Sequence, residues 1–217
     1  MNPQKNGEKS KMVTGTIVTI AGGILWGVSG VCGQYMFQNK GVTAPWLVSV
    51  RLVVAGLLML CYYFLTDREQ TLAIWKSKRD RRDVIIYGLL GMLPCQYAYF
   101  QTIEWSNAGT ATVIQYLGPA LIVIWVCFRT KRMPTLQEIT GVILAVIGVF
   151  LIATHGNPTS LALSGRALLM GLASAVSVAI YTLEPARLQK KYDTPLILAW
   201  GMTIGGVALT LISRPWT

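Results

Sequence analysis

The chain has 217 residues, of which 53% are hydrophobic and only 13% charged, against a formal net charge of +10. Mean hydropathy is +0.50. Soluble domains carry about 25% charged residues, so this composition excludes an ordinary soluble domain and fits an integral membrane protein. The basic excess falls between long apolar runs and not along one solvated face, which argues against nucleic acid as a partner.

Seven apolar runs follow one another: Val13 to Phe37, Thr43 to Leu65, Val84 to Ile103, Ala108 to Phe128, Leu136 to Thr154, Ala167 to Leu183, and Pro195 to Ile212. A helix needs about 20 residues to cross a hydrocarbon layer of ~30 Å. The runs lack sustained alternation, so strands are not expected. The first run is longer than a signal-peptide core, and no small-x-small cleavage site follows it. Cys32, Cys61, Cys95 and Cys127 each lie inside an apolar run and are expected to be small buried hydrophobes. No C-x-x-C pair occurs, and His155 is the single histidine, so neither a metal site nor a cofactor is expected.

Basic residues of short loops favour the cytoplasmic side. One side of the expected topology collects Lys5, Lys9 and Lys11, then Arg68, Lys76, Lys78, Arg79, Arg81 and Arg82, then Arg129, Lys131 and Arg132, then Arg187, Lys190 and Lys191. The other side has Lys40, Arg166 and Arg214. This asymmetry predicts a multi-pass protein of the cell (plasma) membrane with its N-terminus cytoplasmic and its C-terminus outside.

Shifted by 150 residues, the sequence meets itself again. Gly15 aligns with Gly165, Lys40 with Lys190, Pro45 with Pro195 and Gly56 with Gly206, and "KGVTAP" (40–45) with "KKYDTP" (190–195). Residues 1–12 then read as a basic cytoplasmic tail, 13–154 as a first five-helix repeat, and 155–217 as the first two helices of a second, incomplete one. Five crossings is an odd number, so the second repeat enters from the opposite side, an arrangement recurrent in secondary transporters. The expected fold is therefore all-α and integral to the membrane, with seven transmembrane helices, a truncated version of a ten-helix (5+5 inverted repeat) transporter. The alternative is a naturally short seven-helix protein.

Several segments carry a family resemblance: "GGILWGVSG" (22–30), "APWLVSVRLVVAG" (44–56), "YAYFQTIEWSNAGTATVIQYLGPALIVIW" (97–125), "QEITGVILAVIGVFLI" (137–152), "YTLEPARLQKKY" (181–192) and "AWGMTIGGVAL" (199–209). Together they resemble the EamA family of the drug/metabolite transporter superfamily over nearly the whole chain. The family often has a Gly-Glu pair before the fifth helix, and this chain carries Thr130 and Lys131 there instead. The resemblance implies movement of small metabolites across a cytoplasmic membrane.

Arg51 is charged wherever the chain places it, and at 1.5 Å per residue it lies about 12 Å below the outer surface. It either binds an anionic group or holds a gate, or it ties helices together. Glu184, before Pro185, is the obvious counter-charge to Arg51 but falls toward the cytoplasmic end, where it reads as an interfacial glutamate near Arg187 or as a proton-carrying carboxylate, and Glu104 reads as a boundary residue. The third and fourth helices are polar: Gln96 and Tyr99 share one face, and Thr112, Gln115 and Tyr116 another. These side chains should point inward, as cavity lining or interhelical hydrogen bonds. Pro94 and Pro119 would free backbone carbonyls beside them. Trp26, Ser29 and Tyr181 join the candidate substrate site through the family-like segments. Gly23 with Gly27, and Gly201 with Gly205, are expected to let helices approach closely.

The leading expectation is a secondary transporter of small metabolites or drugs, working by alternating access. The partners expected are a small-molecule substrate and the lipid bilayer, with a homodimer left open. Against it stand an integral membrane enzyme, disfavoured by the lack of a catalytic constellation, and a non-transporting membrane protein.

Overall fold

The structure, a computed structural model, describes residues 3–154 and 163–214, with side chains from residue 14 onward. His155 and the side chains of Lys5, Lys9 and Lys11 lie outside the described residues. Within them the fold is helical, without strands: α1 (Pro3–Lys40), α2 (Ala44–Thr66), α3 (Arg68–Lys76), α4 (Lys78–Ile86), a π-helical turn (Tyr87–Met92), α5 (Leu93–Trp105), α6 (Ala108–Gln115), α7 (Leu117–Thr130), α8 (Leu136–Thr154), α9 (Gly165–Leu183) and α10 (Thr194–Ser213). Helix α1 starts at Pro3, so the segment read as a tail extends the first helix.

Local chemistry sets the ends. Asp67 terminates α2 and caps α3, accepting from the Gln70 N–H at 3.0 Å. Ser77 caps α4 and Asn107 caps α6, the latter at 2.8 Å from the Thr110 nitrogen. Lys131 closes α7 in the left-handed conformation, with φ of 52°. Pro185 stops α9, and two short 3₁₀ turns, Glu184–Ala186 and Leu188–Lys190, lead to α10.

Six helical stretches among the described residues are long and apolar enough to cross a membrane: Thr14–Lys40, Ala44–Thr66, Ala108–Thr130, Leu136–Thr154, Gly165–Lys190 and Thr194–Ser213. The run expected over Val84 to Ile103 is helical but divided. The π-helical turn separates α4 from α5 and ends just before Pro94, where the missing N–H already interrupts the ladder. Pro119 has the same effect farther on: α6 stops at Gln115 and α7 begins at Leu117.

Helix α5 lies at the centre, packed on α1, α2, α6 and α9. The longest seam joins α2 to α10. Lipid tails are as apolar as leucine, so helices associate in a bilayer by close packing of small residues. A methyl group on Gly56 would lie 2.7 Å from the Thr203 backbone nitrogen, and one on Gly206 2.8 Å from that of Val53. These contacts are reciprocal at the shift of 150 residues: Gly206 and Thr203 are the counterparts of Gly56 and Val53. Ser49 Oγ meets Ser213 Oγ at 3.5 Å, so residue numbers rise along α2 as they fall along α10, and the pair is antiparallel.

Gly201 packs on the Tyr87 ring and Gly205 on the Gly88 carbonyl, as close-approach glycines should. Gly23 and Gly27 depart from expectation, with nothing within 4 Å of an added Cβ on either. The cysteines need the same correction. Cys95 is buried and Cys127 half-buried, while Cys32 and Cys61 are exposed. In hydrocarbon an apolar side chain gains nothing by turning inward, so an apolar run does not report which positions are covered.

A buried ionic cluster joins α4 to the connector after α9. Arg187 donates from Nη2 to Asp80 Oδ1 at 2.6 Å and from Nε to Asp83 Oδ2 at 2.7 Å. Lys191 Nζ lies 3.2 Å from Asp80 Oδ2, and the Tyr192 hydroxyl donates to the same oxygen at 3.1 Å. Burial alone would raise the Asp80 carboxyl; hydrogen bonds from Arg187, Lys191 and Tyr192 outweigh it and hold the group below its usual range, charged at neutral pH.

Gly56→Leu and Gly206→Leu should each lower stability by about 1–3 kcal/mol or more, the cost of overpacking a closed seam. Gly22→Leu, where nothing lies within 4 Å, should leave it unchanged. Thermal unfolding in detergent measures both.

Candidate substrate site

The N-terminal ends of two helices, α2 and α6, are held by side chains from their neighbours. Glu104 on α5 accepts from the Ala44 N–H at 2.9 Å, satisfying a free donor at the start of α2, and also from Gln101 Nε2 at 2.9 Å. Gln34 on α1 accepts from the Ala108 N–H at 2.8 Å at the start of α6. Glu104 is thus a helix-capping group at the boundary.

Between these caps and the middle of the bundle, α1, α5 and α6 converge. Tyr99 and Thr112 share a hydrogen bond of 3.0 Å between their hydroxyls. The Trp26 ring lies 5.9 Å from that of Tyr99, and Gly30, one turn along α1, leaves room for the Tyr99 hydroxyl. Ser29, half-buried, is next to that glycine. Trp26, Tyr99 and Thr112 thus stand together between α1, α5 and α6. Phe100 stands edge-on to Tyr99 at 5.3 Å and carries the Arg51 guanidinium over its face at 4.8 Å. Arg51 Nη1 is buried and has no hydrogen-bond partner among the described residues. The ring offsets part of the cost of a desolvated cation, but it cannot accept a conventional hydrogen bond. An anionic oxygen could.

Gln115 faces elsewhere. Its Nε2 donates to Ser174 Oγ on α9 at 2.6 Å and lies 3.9 Å from Cys95 Sγ, and its Oε1 is buried without a partner among the described residues. Pro119 has no N–H to return to the Gln115 carbonyl, so acceptors accumulate where α6 breaks. Tyr116, about 100° around the helix from the buried Gln115, is 56% exposed. Tyr181 stacks on Tyr87 at 5.7 Å, with its backbone against Gly91. Gln96 is half-buried on α5 and joins none of these contacts.

Glu184 stands at the C-terminal end of α9. It lines, with Arg129, one end of an otherwise apolar groove of 790 Å³ between α7 and α9, walled by Trp125, Phe128, Ile180 and Leu183. Arg187, the neighbour expected of Glu184, pairs with Asp80 and Asp83. The candidates other than Gln96 and Tyr116 therefore form three groups. Trp26, Ser29, Tyr99 and Thr112 sit beside Arg51; Gln115 and Tyr181 sit along α9; and Glu184 borders the groove. Sequence reasoning missed Phe100, which looks like any aromatic in an apolar run, and Gln34. Their signal is positional, one turn from Gln96 and Gly30 respectively.

Apolar helices with polar groups gathered between them define a multi-pass membrane protein. The chain belongs to the EamA-like transporter family, which it matches over residues 13–154. It is 38% identical, over 90% of its length, to a Salmonella typhimurium protein called uncharacterized inner membrane transporter YicL, covering 65% of that protein. It is 26% identical over 85% of its length to an uncharacterized transporter of Archaeoglobus fulgidus, and 27% identical over 82% to the uncharacterized transporter YyaM of Bacillus subtilis, covering 62% and 56% of them. The chain thus spans less than two thirds of the length of these relatives. No solved structure matches it.

Tyr99→Phe and Thr112→Val should each cost about 1 kcal/mol, as for one hydrogen bond between neutral groups. The double variant should cost no more than the larger single effect, since both remove the same bond. Thermal unfolding of the four proteins in detergent gives the coupling.

Proposed function

We propose that this chain is part of a secondary transporter that moves small metabolites across the cell membrane by alternating access. The observation that carries the reading is the antiparallel α2–α10 pair, whose glycines meet each other's helices reciprocally at a spacing of 150 residues. Two repeats inserted in opposite directions would produce that geometry, and rocking between such repeats is how one site faces each side in turn. Family membership and the transporter names of the relatives support it. On this reading the divided α4–α5 segment is a seventh crossing. The basic loops keep the N-terminus cytoplasmic, and the name of the Salmonella relative agrees with a plasma-membrane location.

The substrate lies between the repeats. Arg51 binds an anionic group on it, and Trp26, Ser29, Tyr99 and Thr112 form the adjoining wall. Gln96, Gln115, Tyr116, Tyr181 and Glu184 serve the path along α5, α6 and α9 toward the cytoplasm. A buried guanidinium donor without a partner is the feature that favours an anion.

The test is flux into lipid vesicles holding the 217-residue protein, across a panel of labelled small anions and neutral metabolites. Uptake should favour anions. Arg51→Ala should reduce it about ten- to a hundredfold, the loss of one charged hydrogen bond, and Arg51→Lys should retain part of it. Unchanged anion flux in folded Arg51→Ala would remove Arg51 from the site. Chemical turnover of a panel member would favour an enzyme instead.

A further inference from the structure

One seam runs from the basic-loop end of the molecule toward its middle, with α4, the π-helical turn and α5 on one side and α9 with its connector on the other. Asp83, Tyr87, Gly91 and Cys95 follow at four-residue intervals along the first side. Opposite them, in antiparallel order, are Arg187, Tyr181 and Ser174. Asp83 is held by Arg187, Tyr87 stacks on Tyr181, and Cys95 and Ser174 both meet Gln115. The outermost contact is the ionic cluster, and the innermost reaches the unpartnered Gln115 oxygen.

We propose that Asp80 and Asp83 with Arg187 and Lys191 form the latch of a cytoplasmic gate, and that the π-helical turn at Tyr87–Met92 is its hinge. The inference rests on the transporter reading, since a gate needs a path to close. The cluster fits the task in composition. The acids are sealed, with side chains 2% and 10% exposed at Asp80 and Asp83, while Arg187 is 29% and Lys191 53% exposed. Water already reaches the basic partners, so they can leave without a dry charge being made on their side. Ion pairing of this kind adds little net stability but sets one arrangement against another. The hinge has a local cause: π turns weaken the helical ladder and recur at functional bends, and this one lies between the latch and Cys95. Gly88 and Gly91 within it bring backbone against Ile204 and Gly201 of α10 and Tyr181 of α9, so neither position wedges a side chain of the turn into those helices. Opening there would part Tyr87 from Tyr181 and bring water to Cys95 and Gln115.

Cys95, 8% exposed, is a native reporter. In a protein with Cys32, Cys61 and Cys127 replaced by alanine, reconstituted in vesicles, a membrane-impermeant maleimide is added to one side at a time. Arg187→Gln should speed labelling of Cys95 by at least about tenfold, as expected for loss of charged hydrogen bonds, and only from the latch side. Lys191→Gln should give a smaller increase on the same side. Unchanged labelling in Arg187→Gln, or equal labelling from both sides, overturns the gate. If Arg187→Gln is not monodisperse, Lys191→Gln decides, and unchanged labelling there overturns it equally. The readout needs no transport, so a chain that moves no solute and still shows one-sided unlatching contradicts the transporter reading and not the latch.

Discussion

The structure depends on the closeness of α2 to α10. Without water to drive apolar surfaces together, what holds helices in a bilayer is contact between backbones, and that requires positions with no side chain. Gly56 and Gly206 supply them, each seated on the other helix's main chain. Leu52, Leu60, Leu196, Ile197 and Leu209 close around the seam. The remaining helices are arranged on this pair through α5, which touches α2 on one side and α9 on the other. Helices far from the seam show more of their surface, as α1 and α8 do, because lipid serves them as well as protein does.

The same solvent governs the polar groups. Thr102, Thr112, Ser177, Thr203, Thr210 and Ser213 each donate to the carbonyl four residues earlier in their own helix, so their hydroxyls cost little in hydrocarbon. Against that background the buried atoms without a partner among the described residues stand out: Arg51 Nη1 and Trp75 Nε1, both donors, and Gln115 Oε1, an acceptor. Of these, Arg51 and Gln115 belong to the candidate site. They lie on different sides of α5, toward α2 and α9 respectively. On the transporter reading proposed above, a solute between them would meet a cation on one side and an acceptor on the other.

Much of this was legible in the sequence, because hydropathy and proline report directly on helices in lipid. The start of α10 at Thr194 falls 150 residues after that of α2 at Ala44, as the self-alignment requires. The break at Pro119 was also readable. Three things were not. The π-helical turn leaves no pattern of its own beyond a nearby proline. Asp80 and Asp83 lie outside every apolar run and were lost among loop charges. Lys191 was read only as an orientation signal and Arg187 as that and a neighbour of Glu184, because counting basic residues ignores whether they are paired. At the candidate site, Trp26, Tyr99 and Thr112 were recognisable as polar or amphipathic residues in apolar helices. That Gln115 turns toward α9 while Tyr116 turns out follows from the ~100° between consecutive residues of a helix, which puts only one of the two on the covered face.

The direct test of the account is the direction in which α2 and α10 run. Ser49 and Ser213, whose oxygens are 3.5 Å apart, would be replaced by cysteines in a chain lacking its native ones, and oxidised in vesicles. The account predicts an intramolecular disulfide between positions 49 and 213 and none between 49 and 194. Cross-linking of 49 to 194, or of neither, would contradict the antiparallel seam.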